Sequence, residues 1–154
     1  MKNSYVHNFE NDSIKENQLD GYRLYRGWKH LKINNTVNDA IVGDKNVYTT
    51  IEDLFKWTVG LNNGELLSKE SLELMYSKGE TIYGRKVPYG FGFRIDTEGQ
   101  KIIYHHGKWN GFSTGLTKYL EDDLIVIVLE HTSYNAMKSL TNKIKEIVIE
   151  KSGV

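Results

Sequence analysis

The side chains best suited to chemistry sit together at His105-His106-Gly107-Lys108. An imidazole can take or give a proton near neutral pH, or ligate a metal. The four follow Ile102-Ile103-Tyr104, an apolar and aromatic run of strand character. Successive side chains on a strand point to opposite faces, so His105 and His106 cannot chelate one ion together. Neither has an H-x-x-x-H or carboxylate partner at ligand spacing, so the expectation is no metal and no cofactor. The chain has no cysteine, which excludes disulfides, thiolate catalysis and zinc–thiolate sites. Glu121-Asp122-Asp123 reads as a solvated turn, because acidic neighbours on a hairpin are not held across a substrate as an acid–base pair.

The histidines lie within a stretch from Lys101 to Thr132 that holds three strand-like runs and two turn signals. Asn110-Gly111, the strongest short-range hairpin dipeptide, separates Ile102–Tyr104 and its extension from Phe112–Leu120. The acidic turn separates that run from Leu124–Leu129. The spacing predicts an antiparallel three-strand meander. Leu124–Leu129 is apolar at every position, which calls for cover on both faces of the sheet. The expected class is α+β, an antiparallel sheet flanked by helices. A length of 154 residues predicts one domain, residues 1–154, with a polar lead-in over 1–20 anchored by Tyr5-Val6 and Phe9. Twenty basic residues balance twenty acidic ones, so there is no electrostatic case for nucleic acid or an anionic membrane. No run reaches the roughly 18 apolar residues of a membrane span. The first residues have no apolar core of a secretory signal, an expectation of cytoplasmic residence for the chain as written.

The remaining elements must supply the cover. Tyr22 to Ile33 alternates apolar and charged residues around Gly27, as one or two half-buried strands would. Thr49 with Glu52, or Thr50 with Asp53, can cap a helix whose face carries Ile51, Leu54, Phe55, Thr58 and Leu61. Asn62-Asn63-Gly64 stops it. Ser68 caps a second helix bearing Leu72, Met75 and Tyr76, which Gly79 ends, and 80–88 reads as loop. Tyr89–Ile95 alternates glycine with aromatics, with Phe91, Phe93 and Ile95 pointing one way. A last helix, Tyr134–Lys151, has the stripe Met137, Leu140, Ile144, Ile147, Val148.

The order of these signals resembles the serine β-lactamase-like superfamily: class C β-lactamases, DD-peptidases (penicillin-binding proteins) and related esterases. Gly43 to Trp57 resembles its "G-x-x-x-[LV]-Y-[ST]-T-x-x-D-L-x-K-W" segment. Asn63-Gly64-Glu65-Leu66-Leu67-Ser68 is similar to "N-G-x-L-L-S", and Tyr89-Gly90-Phe91-Gly92-Phe93 to "Y-G-[LFY]-G-[FW]". His105-His106-Gly107 followed by Gly111-Phe112 resembles the third active-site motif, "H-x-G-x-x-x-G-[FY]". Met1-Lys2-Asn3-Ser4-Tyr5 resembles "G-M-K-[ND]-[ST]". Any one match is weak; five in order, across nearly the whole chain, are specific.

The departures are as informative. No serine has lysine three residues on, and no tyrosine has asparagine two residues on. Ser133-Tyr134-Asn135 fits Ser-x-Asn by letters but follows the third motif, the wrong chain order. The resemblance therefore implies the C-terminal part of a family member, beginning after the nucleophile and the second motif, and inactive alone. It gives His105 the cleft-facing first position, His106 the variable one and Gly107 a close backbone approach. Lys108 would supply an oxyanion-hole N–H, a group worth about 3 kcal/mol in such enzymes. It also implies a peptide or β-lactam-like ligand in the cleft. The alternatives are a non-catalytic binding module, or one half of a split enzyme completed by a separate N-terminal half. The family usually works outside the cytoplasm. In the family, N-terminal strands pair beside the last strand of the meander. Without them Leu124–Leu129 would be an edge, expected to be covered by Tyr22–Ile33 or by self-association.

Overall fold

The computed structural model describes residues 1–8, 17–43 and 45–152. Phe9 and most of the polar lead-in, with Asp44 of the Gly43–Trp57 segment, lie outside the described residues. In chain order the strands are β1 (Tyr5–Val6), β2 (Tyr22–Tyr25), β3 (Lys29–Lys32) and β4 (Val47–Tyr48). A 3₁₀ turn at Val37–Ala40 precedes β4. Helices α1 (Ile51–Asn62) and α2 (Lys69–Met75) follow, then the short strands β5 (Gly79–Glu80), β6 (Lys86–Val87) and β7 (Arg94–Asp96). The chain closes with β8 (Ile102–Trp109), β9 (Phe112–Tyr119), β10 (Leu124–Glu130) and α3 (Met137–Ser152).

The Lys101–Thr132 stretch folds as the meander its turn signals predict. Asn110 and Gly111 both take positive φ, 40° and 85°, the pairing a two-residue type I′ hairpin needs. That turn sets Trp109 opposite Phe112 and carries the register unbroken to Ile102 opposite Tyr119. β10 returns along β9, from Leu124 opposite Tyr119 to Glu130 opposite Ser113. With β7 the sheet is four antiparallel strands in the order β10-β9-β8-β7.

Residue parity then divides the sheet into two packed faces. On one, Ile103, Leu116, Ile125 and Ile127 join Phe93 and Ile95 beneath Trp57, Leu72, Met75 and Tyr76 of the α1–α2 segment. On the other, α3 lies across the sheet. A Cβ on Gly115 would come within 2.7 Å of Met137, so the glycine makes room for the helix. Tyr119 donates to Asn142 Oδ1 at 2.8 Å, and Ser113 donates to the Tyr134 carbonyl at 2.6 Å. The doubly covered strand read from Leu124–Leu129 has its physical cause here. Thr50 caps α1 by accepting from the Asp53 N–H, and Ser68 caps α2 by accepting from Ser71 N–H. Asp53 also accepts from the Asn3 N–H at 2.7 Å and the Ser4 hydroxyl at 2.9 Å. The first residues are thus tied to the start of α1, and β1 pairs with β4.

Several expectations are corrected. Within the polar lead-in Tyr5–Val6 forms a strand. β2 and β3 form a hairpin turning at Arg26-Gly27, but its side chains are mostly exposed rather than half-buried. This hairpin does not cover β10: it touches the following residues, where Tyr22 N–H donates to the His131 carbonyl. α2 stops at Met75, short of Gly79, and Gly79–Glu80 pairs with Lys86–Val87 instead of lying in a loop. Gly92, at φ 79°, breaks the Tyr89–Ile95 alternation, so Phe93 and Ile95 are buried while Phe91 is exposed. Ile51 and Phe55 of α1 are also exposed, and Asp53 and Gly60 are buried in their place.

One buried cation sits in the α1–α2 face. Lys118 Nζ donates to the Tyr76 hydroxyl at 2.7 Å and to Asn62 Oδ1, and lies 4.5 Å from the Tyr76 ring centre. Burial pulls its pKa down from 10.5 to about 8 and pushes that of Tyr76 up from 10.0 to about 12. Between pH 8 and 10.5 the unfolded chain binds a proton at Lys118 that the folded one lacks, so stability rises with pH. Above pH 10 Tyr76 acts in the opposite sense, because the folded state keeps the proton. Urea denaturation of the intact chain should therefore show a gain from pH 8 to 10 that Lys118→Met lacks. The same pH slope in both proteins would remove Lys118 as its source.

Candidate functional site

β8 is paired on both sides for only part of its length. β7 covers Ile102, Ile103 and Tyr104, opposite Asp96, Ile95 and Arg94. From His105 to Trp109 the outer edge of β8 has no strand partner among the described residues. The cause is local. Gly92 takes a left-handed conformation, Gly90 N–H donates to the Phe93 carbonyl, and Tyr89 bridges to Arg94. The chain turns back there, which leaves β7 three residues long and brings Tyr89 beside β8.

The histidines separate as parity requires. His105 points to the α1–α2 side, where its Nε2 shares a 3.1 Å hydrogen bond with the Tyr89 hydroxyl. The two rings meet edge to face at 6.3 Å, and the Arg94 guanidinium lies 5.7 Å from the Tyr89 ring centre. His106 points to the α3 side, sharing a 3.2 Å hydrogen bond with Thr117 Oγ1. Partial burial, then the Arg94 charge, lowers the pKa of His105. Burial, then the charges of His105, Arg94 and Lys138, lowers that of His106. Both shifts favour the neutral ring. Gly107 leaves room for a neighbour, since a Cβ there would come within 2.7 Å of Thr114 Oγ1 on β9. Lys108 is exposed, opposite Ser113. The four residues thus share one strand segment, but His105 and His106 do not share a face.

The end of this segment is held by Asp39, a residue outside every motif read from the sequence above. The buried carboxylate of Asp39 accepts from Trp109 Nε1 and Asn110 Nδ2, both at 2.5 Å, and from Thr36 Oγ1 at 2.9 Å. It also accepts from the Thr36 N–H. Burial alone would raise its pKa, but these hydrogen bonds outweigh that cost and hold it below the usual carboxylate value. Lys45 Nζ sits 4.1 Å from the Trp109 ring centre. On the other side of the tip, a Cβ on Gly111 would meet Tyr22 N at 2.3 Å. The available signal was Thr36-x-x-Asp39, the capping-box spacing. The Tyr89 hydroxyl is not announced by the sequence either, because the alternation of its run marks only Phe91, Phe93 and Ile95 as sharing a face.

The sequence model of the beta-lactamase family matches residues 5–148. The chain belongs to that family. Penicillin-binding protein 4* of Bacillus subtilis (strain 168) is 32% identical over 95 residues, a stretch covering 60% of this chain and 21% of that protein. The crystal structure of a penicillin-binding protein from Bacillus halodurans superposes with a TM-score of 0.73 at 18% identity. It covers 94% of this chain and 44% of that one. The α+β antiparallel fold is thus that of a penicillin-binding protein over this portion, and this chain spans less than half of either relative's length.

Two outcomes test the geometry. Asp39→Ala removes the acceptor shared by the part-buried Thr36, Trp109 and Asn110 donors at the hairpin tip and should cost about 2 kcal/mol in denaturant unfolding, with a changed Trp109 environment in fluorescence. An unfolding midpoint equal to that of the parent would show that the clamp carries no stability. In an NMR titration His105 and His106 should both titrate below the ordinary histidine value of 6.5, and a value above it for either would contradict its placement.

Proposed function

We propose that this chain supplies the third-motif wall of a serine-hydrolase cleft and forms no acyl-enzyme by itself. The observation that carries the reading is the half-paired strand β8, with His105 facing the α1–α2 side against Tyr89. In a complete cleft of this family a serine hydroxyl attacks an amide or ester carbonyl while lysine and tyrosine side chains move protons. The third-motif strand contributes in two ways. Its free edge pairs with an extended substrate, and a backbone N–H stabilises the tetrahedral oxyanion. Here His105 takes the cleft-facing position and Lys108 offers the N–H. His106 is turned to the far face, and Gly107 keeps the backbone approachable. With no Ser-x-x-Lys and no Tyr-x-Asn in the sequence, these groups have no tetrahedral intermediate to stabilise. The C-terminal position of this portion within a longer family member belongs to the same proposal, as does a separate polypeptide bringing the nucleophile.

One observation favours a second reading, a non-catalytic binding module. The unpaired edge from His105 to Trp109 offers backbone donors and acceptors to an extended peptide, a recognition mode that needs no nucleophile. The relatives' names point to penicillin, a peptide mimic, as the probe. On incubation with a fluorescent penicillin and denaturing electrophoresis, this chain should carry no label. A covalent band would overturn the reading. Chemical-shift changes confined to His105–Trp109 and Tyr89 on titration with a cell-wall peptide would favour the binding module; no change at any concentration would remove it.

A further inference from the structure

The balanced charge of the whole chain conceals a local excess on the β2–β3 hairpin. Residues 22–32 hold Arg23, Arg26, Lys29, His30 and Lys32 and no acidic side chain. Lys32 pairs with Asp20 at 2.8 Å, and among the described residues the other four have no carboxylate partner. The base of the hairpin is fixed. Tyr22 N–H donates to the His131 carbonyl, Ser133 Oγ donates to the Tyr22 carbonyl, and Ile33 N–H donates to the Gly21 carbonyl. A Cβ on Gly21 would come within 1.9 Å of the Asn110 carbonyl oxygen, so the hairpin is seated against the β8–β9 tip. Beyond that base every residue from Arg23 to His30 is exposed. Arg26 and Gly27 close the turn with φ of 52° and 78°.

Large apolar side chains share this exposed turn with the cations. Leu24, Tyr25 and Trp28 are 52%, 38% and 75% exposed, and such a cluster rimmed by charge marks an interaction surface. The strand pairing says of what kind. Arg23 opposes Leu31, Leu24 opposes His30, and Tyr25 opposes Lys29. Parity then puts Arg23, Tyr25, Lys29 and Leu31 on one face, and Tyr22, Leu24, His30 and Lys32 on the other. Each face is half basic and half apolar. A nucleic acid or an acidic protein pressed on one face would meet only part of the charge, whereas a layer entered end-on meets all of it. Nor is either face a core surface awaiting another protein segment, because burying these cations would need carboxylates set against each of them.

We propose that the hairpin docks end-on into the headgroup layer of a bilayer containing anionic lipid. Trp28 and Leu24 enter the interface, which accommodates both the apolar body of an indole and its N–H. Arg23, Arg26, Lys29 and Lys32 surround them. Their stems stay with the apolar groups while their charged ends reach the lipid phosphates. Arg23 and Arg26 already pack over the Tyr25 ring, 5.9 and 5.2 Å from its centre, so these cations are gathered at the turn. The fixed base means that little order is lost on docking. Because that base is seated on Asn110, docking holds the β8–β9 tip close to the bilayer.

Sedimentation of the intact chain with vesicles tests this. It should bind vesicles of phosphatidylcholine mixed with phosphatidylglycerol, leave vesicles of phosphatidylcholine alone, and bind less as salt is raised. Binding should shift tryptophan emission to the blue, and Trp28→Ser should abolish the shift and weaken binding. Arg23→Gln combined with Lys29→Gln, both at exposed positions, should weaken partitioning about 25-fold, about fivefold per charge, with an unchanged circular dichroism spectrum. No binding to the anionic vesicles overturns the proposal, as does equal binding to the neutral ones. So does binding whose strength and emission Trp28→Ser leaves unaltered, since charge alone would then suffice and a soluble polyanion would serve as well as a bilayer.

Discussion

A single buried carboxylate fixes the geometry on which the open half of β8 depends. Asp39 gathers donors from Thr36, Trp109 and Asn110, so a 3₁₀ turn far away in sequence is fastened to the tip of the β8–β9 hairpin. A charge taken out of water costs several kcal/mol unless its lone pairs are used. Here several donors use them, and the same bonds keep the group ionised. The consequence reaches back along β8. Its last residues have only one strand neighbour, yet they end in a tip that is anchored from outside the sheet. An edge that is both open and fixed is what strand-addition recognition requires, since a mobile edge would lose entropy on binding.

Parity does the rest. His105 and His106 are consecutive, and that single step along the strand sends one imidazole to the α1–α2 side and the other toward α3. The motif-like order of the sequence therefore becomes a physical asymmetry, one histidine facing the open side with Tyr89 and one packed near Gly115 and Met137. Membership of the beta-lactamase family explains why such a strand exists here. The sequence itself holds no Ser-x-x-Lys pair. Among the described residues no helix is long and apolar enough to cross a membrane.

Much of this architecture could be read before any coordinates. Asn110-Gly111 fixed a turn type, and through it the register of the two longest strands, because few residue pairs accept positive φ twice. The caps at Thr50 and Ser68 were visible for a similar reason: few side chains can accept an orphan N–H. What escaped was long-range. Asp39 belongs to no motif of the sequence: the Thr36-x-x-Asp39 spacing announces only a local turn, and its two other partners lie some 70 positions away. Tyr89 looked like part of an alternating strand, but a left-handed glycine at position 92 broke the alternation and returned its hydroxyl to His105. The apolar flanks of α1 and α3 were read as core because periodicity identifies a stripe without saying how much of it the sheet is wide enough to cover.

The account rests on β8 being held at its tip yet open on one side, and residue-resolved amide exchange measures that directly. Both sets of amides should be protected across Ile102–Tyr104. From His105 to Trp109, those pointing to β9 should stay protected while those pointing outward exchange quickly, with the Trp109 indole N–H slow because Asp39 holds it. Uniform protection through Trp109 would mean that the edge is closed. Uniform fast exchange that includes the indole would mean that the tip is not held, and either result would contradict the structure of β8 described above.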